Sequence, residues 1–378
     1  MIRKVLYGLA ILTVLFGLWG VYDRFASGHQ SADYGSYVMW GLWVAMYLFF
    51  TGAAVGAFVF ATLDYLFDVR IFARTGRLSL LAALAALAAG LLTVWFDLGR
   101  MERIWRVYVE ADFESVMAQI VWGYTLFGVL VVVMLVMSLQ RERYANWLKG
   151  LSAVGLPLAL FLSGGVGALL GVESSRPFWH VGLFPVQFPV FSLASGAAML
   201  LLIHGLFDRT TENRAELLRS LAILTIILQG VKLFFLWADL SQSMYGGVEL
   251  NVDAVEEMLF GQYWWAFWLL QIGLGTIVPI LILAPPRLAQ QPIWAASAGA
   301  LVLLGFVVAR ANIVFPAQSV STLEGLADAF QEVRLDLSYF PSGPEWALAI
   351  GMSGLAGLIF LLAYDGLALL GAEERHEP

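Results

Sequence analysis

The chain has 378 residues, of which 60% are hydrophobic and 13% charged, with a formal net charge of −7 and a mean hydropathy of +0.80. Ordinary soluble domains carry about 45–50% apolar and about 25% charged residues, so a soluble protein of this length is excluded: too few charges remain to cover its surface. Cysteine is absent, which excludes disulfides, thiol chemistry and cysteine-held zinc or iron–sulfur centres, and the negative balance argues against a nucleic-acid partner.

A membrane-spanning helix needs about 20 apolar residues. Ten runs qualify: 4–22, 37–65, 78–98, 116–138, 148–170, 186–206, 217–240, 262–283, 293–314 and 346–370. Each is apolar around its whole circumference, so helices are the expected spanning structure. The first run follows Arg3 and Lys4. It is long for a signal peptide and no clear A-x-A site follows it, so it is expected to stay as a helix.

The loops carry an orientation signal. With the N-terminus inside, the inner segments hold Arg3, Lys4, Arg70, Arg74, Arg77, Arg141, Arg143, Lys149, Arg209, Arg214, Arg219, Arg287 and Arg375. The outer loops hold Arg24, Arg100, Arg103, Arg106, Arg176 and Arg334. Thirteen against six predicts both termini in the cytoplasm. The outer loops 99–115, 171–185, 241–261 and 315–345 are the longer ones, so the outer face is the larger docking surface.

An internal repeat is expected. TGAA at Thr51–Ala54 matches SGAA at Ser195–Ala198, WFDL at Trp95–Leu98 matches WADL at Trp237–Leu240, and Glu114 and Trp122 match Glu256 and Trp264. The offsets are 144, 142, 142 and 142 residues. The fold class is therefore an all-α integral membrane protein with ten transmembrane helices. Spans 2–5 and 6–9 form two parallel-repeat four-helix bundles, with one flanking helix at each end. The units run 1–35 (flanking helix and outer loop), 36–171 (first bundle), 172–315 (second bundle) and 316–378 (outer loop and flanking helix).

Charges inside a bilayer cost several kcal/mol and need a reason. Near the outer side lie Asp97, Glu173, Lys232, Asp239, Arg310 and Glu345; near the inner side lie Asp64, His204 and Asp365. The bland reading is structural ion pairs, Arg310 with Asp239 or Glu345 for example, or charges snorkelling to water. The functional reading is a proton path of two half-channels: Asp64, His204 and Asp365 on one side, Lys232, Asp239 and Arg310 on the other. Of the histidines His29, His180, His204 and His376, only His204 lies well inside an apolar run. No intrinsic haem pair and no metal site are expected.

The stretch GVESSRPFWHVGLFPVQFP at 171–189 mixes Glu173, Arg176 and His180 with Phe178 and Trp179. That suits a pocket at the membrane surface, with aromatic walls and a few polar groups that orient a ring and exchange protons. It equally suits an interfacial turn with belt aromatics. Gly52, Ala53 and Gly56 allow close helix packing or room for a flat ligand.

Together these segments resemble the NrfD-type membrane subunits of polysulfide reductase and related complexes. The resemblance rests on WGLWVAMYLFFTGAAVGAF at 40–58, WFDLGRMERIWRVYVEADFESVMAQIVWG at 95–123, RPFWHVGLFPVQFPVFSLASGAA at 176–198, FWLLQIGLGTIVPILIL at 267–283 and YFPSGPEWALAIG at 339–351. The ten spans are similar to the longer members, those of alternative complex III and hydrogenase-linked complexes. The resemblance implies a cofactor-free subunit in the bacterial inner membrane, with menaquinone or ubiquinone as its substrate near the periplasmic side. It implies an iron–sulfur subunit docked on that face and, beyond it, a molybdopterin, hydrogenase or multihaem cytochrome subunit.

Residue by residue, Tyr47 occupies the place of a histidine near the quinone in some relatives, with Trp43 one turn earlier. Gly52 belongs to the same stretch. DLGR supplies Asp97 and Arg100. Arg100, Arg103 and Arg106 are candidates to dock the iron–sulfur subunit or stabilise the quinone. The expected head-group site lies between Tyr47, Asp97 and the 173–180 segment, where Arg176 and Trp179 bind and Glu173 or His180 handles protons. The competing classes are a secondary transporter or ion translocator, and a passive membrane anchor.

Overall fold

The computed structural model describes residues 2–110, 112–207, 213–323, 325–329 and 335–373; Arg209, Arg334, Arg375 and His376 lie outside them. Among the described residues, ten helices are long and apolar enough to cross a membrane. They are α1 (Ile2–Ser27), α2 (Leu42–Tyr65), α3 (Gly76–Asp97), α4 (Val116–Met137), α5 (Ala145–Gly171), α6 (Phe184–Leu206), α7 (Arg214–Tyr245), α8 (Ala266–Leu283), α9 (Pro292–Val314) and α10 (Gly343–Glu373). The chain is an all-helical, multi-pass integral membrane protein. In a bilayer, backbone amides must be satisfied within the segment, and helices do this whatever faces their side chains meet.

Helix α2 lies at the centre and is the most enclosed span. It packs on α3, α5, α6 and α9, while α6 packs in turn on α7 and α9. Small residues set the closest crossing. A Cβ on Gly56 would stand 1.9 Å from the Ser192 carbonyl oxygen, and one on Gly196 would stand 2.4 Å from the Gly56 carbonyl carbon. The α2 and α6 backbones therefore touch, as small-residue seams permit.

Helix α1 packs along α10, with Gly17 against Gly351. Its other face, with Leu9, Leu12, Leu15 and Tyr22, is exposed as expected of a lipid-facing surface. Arg3 and Tyr7 of α1 both engage Asp365 of α10. Helix α8 is π-helical over Ala266–Ile277 before it returns to α geometry. Gln271 accepts a hydrogen bond from the Thr276 hydroxyl at 2.8 Å through its carbonyl oxygen, within that wide turn.

The apolar run at 37–65 begins as loop: helix starts only after Gly41. Residues 28–41 instead run across the end of the bundle where α1 stops and α2 begins. Gly28, at φ +65°, ends α1, as a glycine just past a helix commonly does. This crossing segment positions the site.

A candidate quinone site at the α1–α2 end

Where residues 28–41 cross the bundle end, they line an open cavity of about 490 Å³ with the start of the 98–115 loop. Its lining includes His29, Tyr34, Ser36, Met39, Asp97 and Leu335. That volume lies in the range of ordinary small-molecule sites, about 300–1,000 Å³.

The polar wall is built from distant stretches. Tyr34, almost fully buried, holds its hydroxyl 2.7 Å from His29 Nδ1, and Asp97 shares the wall with it. Burial pushes the Tyr34 hydroxyl above its usual range, and the neighbouring Asp97 and Glu345 charges push it further. It therefore stays a neutral phenol that can give a proton to one neighbour while it takes one from another. Asp97 terminates α3, and its Oδ1 is buried without a hydrogen-bond partner among the described residues. A buried carboxylate oxygen without a partner carries a desolvation cost, which a proton on the carboxyl group would relieve.

Two further residues hold this wall. Arg24, on the last turn of α1, is buried. Its Nε donates to the Phe96 carbonyl at 2.7 Å and its Nη2 to the Leu98 carbonyl at 2.6 Å. These are the residues on either side of Asp97. The guanidinium thus satisfies carbonyls that the end of α3 leaves open and sets a positive charge beside Asp97. On the other side, the Trp43 ring lies edge-on to His29 and Tyr34 at 6.1 and 6.0 Å. Its Nε1 donates to the Glu345 carbonyl at 3.2 Å.

Of the residues expected from sequence, Asp97 lines the cavity and Trp43 backs it. Tyr47 lies elsewhere, its ring edge-on to Tyr124 at 6.4 Å. The 173–180 segment does not line the cavity; it braces the loops beside it. Trp179 is fully buried, stacks on Trp40 at 5.0 Å and donates to the Ile313 carbonyl at 2.7 Å. Arg176 donates to the carbonyls of Tyr37 at 2.9 Å and Val320 at 3.0 Å. Burial lowers its pKa, and Glu173 opposes that shift. Glu173 itself accepts from the Ser175 amide and hydroxyl, and His180 is exposed. Gly52 faces α6, where an added Cβ would meet Ser192 Oγ at 3.2 Å and Arg310 Nη2 at 3.4 Å.

Arg100 begins the loop that leaves the cavity and is exposed, as are Arg103 and Arg106. Arg103 lies 3.9 Å from Glu102, and Arg106 lies 3.6 Å from Glu110. Trp105 and Tyr108 are exposed on the same loop.

The residues expected on a proton path are scattered. Asp64 is buried in a two-pronged pair with Arg141 at 2.8 and 3.0 Å and accepts from the Gly76 amide at the start of α3. His204 is buried at the end of α6, where its carbonyl accepts from Arg214. Lys232 donates to Thr276 Oγ1 at 2.7 Å, under the Phe306 ring. Arg310 stacks 4.0 Å above the Phe188 ring, and no ion pair joins it to Asp239 or Glu345 among the described residues. Asp239 is buried with Oδ1 unpartnered among the described residues.

The sequence alone gives Arg24, His29 and Tyr34 no role. Arg24 is one charge among those of the outer loops, and His29 and Tyr34 fall in a polar stretch with no periodicity. The signal that points to them is the density of His, Tyr and Asp in 29–34, directly after the first span.

A multi-pass helical membrane protein with a polar-lined cavity at one bundle end defines the class. Within that class the chain belongs to the family of polysulphide reductase, NrfD, whose model matches residues 30–321. It is 30% identical to a selenate reductase subunit of Mesobacillus selenatarsenatis, over 95% of this chain and 93% of that one. It is 23% identical to the menaquinone reductase integral membrane subunit of Nitratidesulfovibrio vulgaris, over 98% and 93%. To a polysulfide reductase chain of Wolinella succinogenes it is 25% identical, over 75% and 95%.

Proposed function

We propose that this chain is the quinone-reactive membrane subunit of a multi-subunit oxidoreductase, and that the quinone head group occupies the cavity of His29, Tyr34 and Asp97. The observation that carries this reading is the Tyr34 hydroxyl 2.7 Å from His29 Nδ1 on a cavity wall that Asp97 shares. Quinone chemistry couples electrons to protons. This chain's residues supply the proton half: the Asp97 carboxylate accepts a proton, and Tyr34 and His29 exchange one with the aqueous end. Arg24 and Trp43 hold these groups in register. Two relatives, the membrane subunits of a menaquinone reductase and of a menaquinol oxidoreductase, support the substrate class.

The electrons need a partner. An iron–sulfur subunit docked on the cavity end fits best, with Arg100, Arg103, Arg106, Trp105 and Tyr108 in the loop that starts at the cavity wall. A catalytic subunit reducing or oxidising the final substrate would lie beyond it. The positive charge bias of the loops argues for this end on the periplasmic side of the inner membrane. Purified with its partner subunits, the complex is expected to exchange electrons with a water-soluble naphthoquinol. Asp97→Asn, Tyr34→Phe and His29→Ala should each lower that rate; full activity in all three would remove the cavity from the mechanism.

A second reading, ion translocation driven by the same chemistry, has one observation in its favour. Lys232 and Arg310 are buried cations with no carboxylate partner among the described residues. Lys232→Met in vesicles tests it. Loss of proton movement with quinol oxidation intact would support it, and unchanged proton yield would end it.

A further inference from the structure

The carboxylate most deeply enclosed at this end is not on the cavity lining. Glu345, on the first turn of α10, is fully buried. Its Oε2 accepts from the Asp33 amide at 3.0 Å and the Ser342 amide at 3.0 Å, and its Oε1 accepts from the Tyr339 hydroxyl. The Tyr339 hydroxyl accepts in turn from the Leu42 amide at 2.8 Å, at the first turn of α2. One side chain thus ties together the crossing segment that carries His29 and Tyr34, the start of α2 and the start of α10.

Gly41 shows how tightly these pieces meet. A Cβ there would stand 2.5 Å from Tyr339 Oη, 2.5 Å from Tyr34 Cδ1 and 2.6 Å from Glu345 Oε1. Glu345 and Tyr34 thus meet over the same glycine, which puts the Glu345 carboxylate beside the wall that Tyr34 and His29 form. At an effective dielectric of about 20, two unit charges several Å apart interact by a few kcal/mol. The NrfD match spans 30–321, so Arg24, His29, Tyr339 and Glu345 all lie beyond the residues that define the family here.

Resting on the functional reading above, we propose that Glu345 is a positioning residue of the quinone site: it clamps the 29–34 segment onto α2 and, by its charge, sets the pH range in which the site exchanges protons. The charged and titratable groups facing that wall come from every element around it. Among the described residues they include Asp23 and Arg24 from α1, His29, Asp33 and Tyr34 from the crossing segment, Asp97 from α3, and Tyr339 and Glu345 from α10 and the turn before it. In this set Arg24 is the cation. Outer helices α1 and α10 then do more than flank the bundle; each contributes charge to the same wall.

The test uses the whole complex and a water-soluble naphthoquinol. In Glu345→Gln the amide oxygen still accepts from the Asp33 and Ser342 amides, but the charge is gone. A neighbouring negative charge holds a proton on a base to higher pH, so its removal should shift the rising limb of the pH–rate profile about one pH unit or more toward acid. Glu345→Asp, which keeps the charge, should restore the wild-type profile in part. A uniform fall in rate with no shift, or no change at all, overturns the charge role. Hydrogen exchange at residues 29–41 reads the clamp without any turnover: Glu345→Ala should speed it, and unchanged protection overturns the clamp. If the wild-type complex does not react with quinol, the functional reading fails, while the exchange result still decides the clamp.

Discussion

Arg24 Nε lies 2.7 Å from the Phe96 carbonyl oxygen, and through this contact the end of α1 closes the end of α3. The second bond, to Leu98 at 2.6 Å, grips the turn from the other side of Asp97. Hydrogen bonds to a charged donor contribute about 1.5–3 kcal/mol each. Arg24→Met should therefore lower stability by at least about 2 kcal/mol, read as a lower melting temperature in detergent. It should also depress quinol turnover, because Asp97 loses both its anchor and its neighbouring cation.

Tyr34→Phe removes the hydroxyl that meets His29 Nδ1 and keeps the ring against Trp43. Positioned proton transfer is worth about 10²–10⁴-fold in rate. The variant should lose turnover by at least about tenfold with little change in KM, measured by steady-state quinol oxidation. A change in KM alone would assign Tyr34 to binding.

The tyrosines at this bundle end predict alkaline lability. Burial raises Tyr34 and Tyr339 above the ordinary phenol range and raises Tyr263 to about 12. In the unfolded chain these phenols ionise near pH 10, so above that pH the unfolded state has lost protons that the folded state keeps. Stability is then fully present below about pH 10 and falls as pH rises toward 12. Melting temperatures at pH 8 and pH 11 check this, and Tyr263→Phe should flatten the difference.

At the opposite end, Asp64 is buried against Arg141, whose side chain is 40% exposed. Removing one partner of a buried pair costs about 3–5 kcal/mol. Because Arg141 can turn to water, Asp64→Asn should cost near the lower figure. Thermal unfolding with Arg141→Met as the matched variant, and the double variant, measures the coupling.

The α2–α6 seam leaves no room for a side chain. Gly56→Val would drive its Cβ into the Ser192 carbonyl, 1.9 Å away. It would also part Ser163 and Ser192, whose hydroxyls are 2.8 Å apart. The expected outcome is loss of folded protein from the membrane fraction; normal yield with an unchanged melting temperature would contradict the seam.

All ten helices were legible because each apolar run is long enough to announce itself alone, as α4 does from Val116 to Met137. Of the proposed site, the sequence singles out only Asp97, Trp43 and Glu345. The site is assembled from residues 24, 29, 34, 97, 339 and 345, far apart in sequence, and no local pattern records which loop ends meet. The stretch 37–41 continues the apolar run of α2, and only the crowding of Tyr34, Tyr339 and Glu345 onto Gly41 explains why the helix starts later. The 173–180 segment has a binding site's composition, yet the same aromatic and cationic side chains serve equally as braces. Trp179 commits its indole to the Ile313 carbonyl and Arg176 commits its fork to three loop carbonyls.

The cavity lining draws on the crossing segment, the end of α3 and Leu335, so anything seated there ties an early stretch of the polypeptide to a late one. A ligand that binds only the folded form adds about 2.7 kcal/mol at a hundredfold excess over its Kd. A lipid-soluble carrier seated there would therefore hold the fold together as well as feed its turnover.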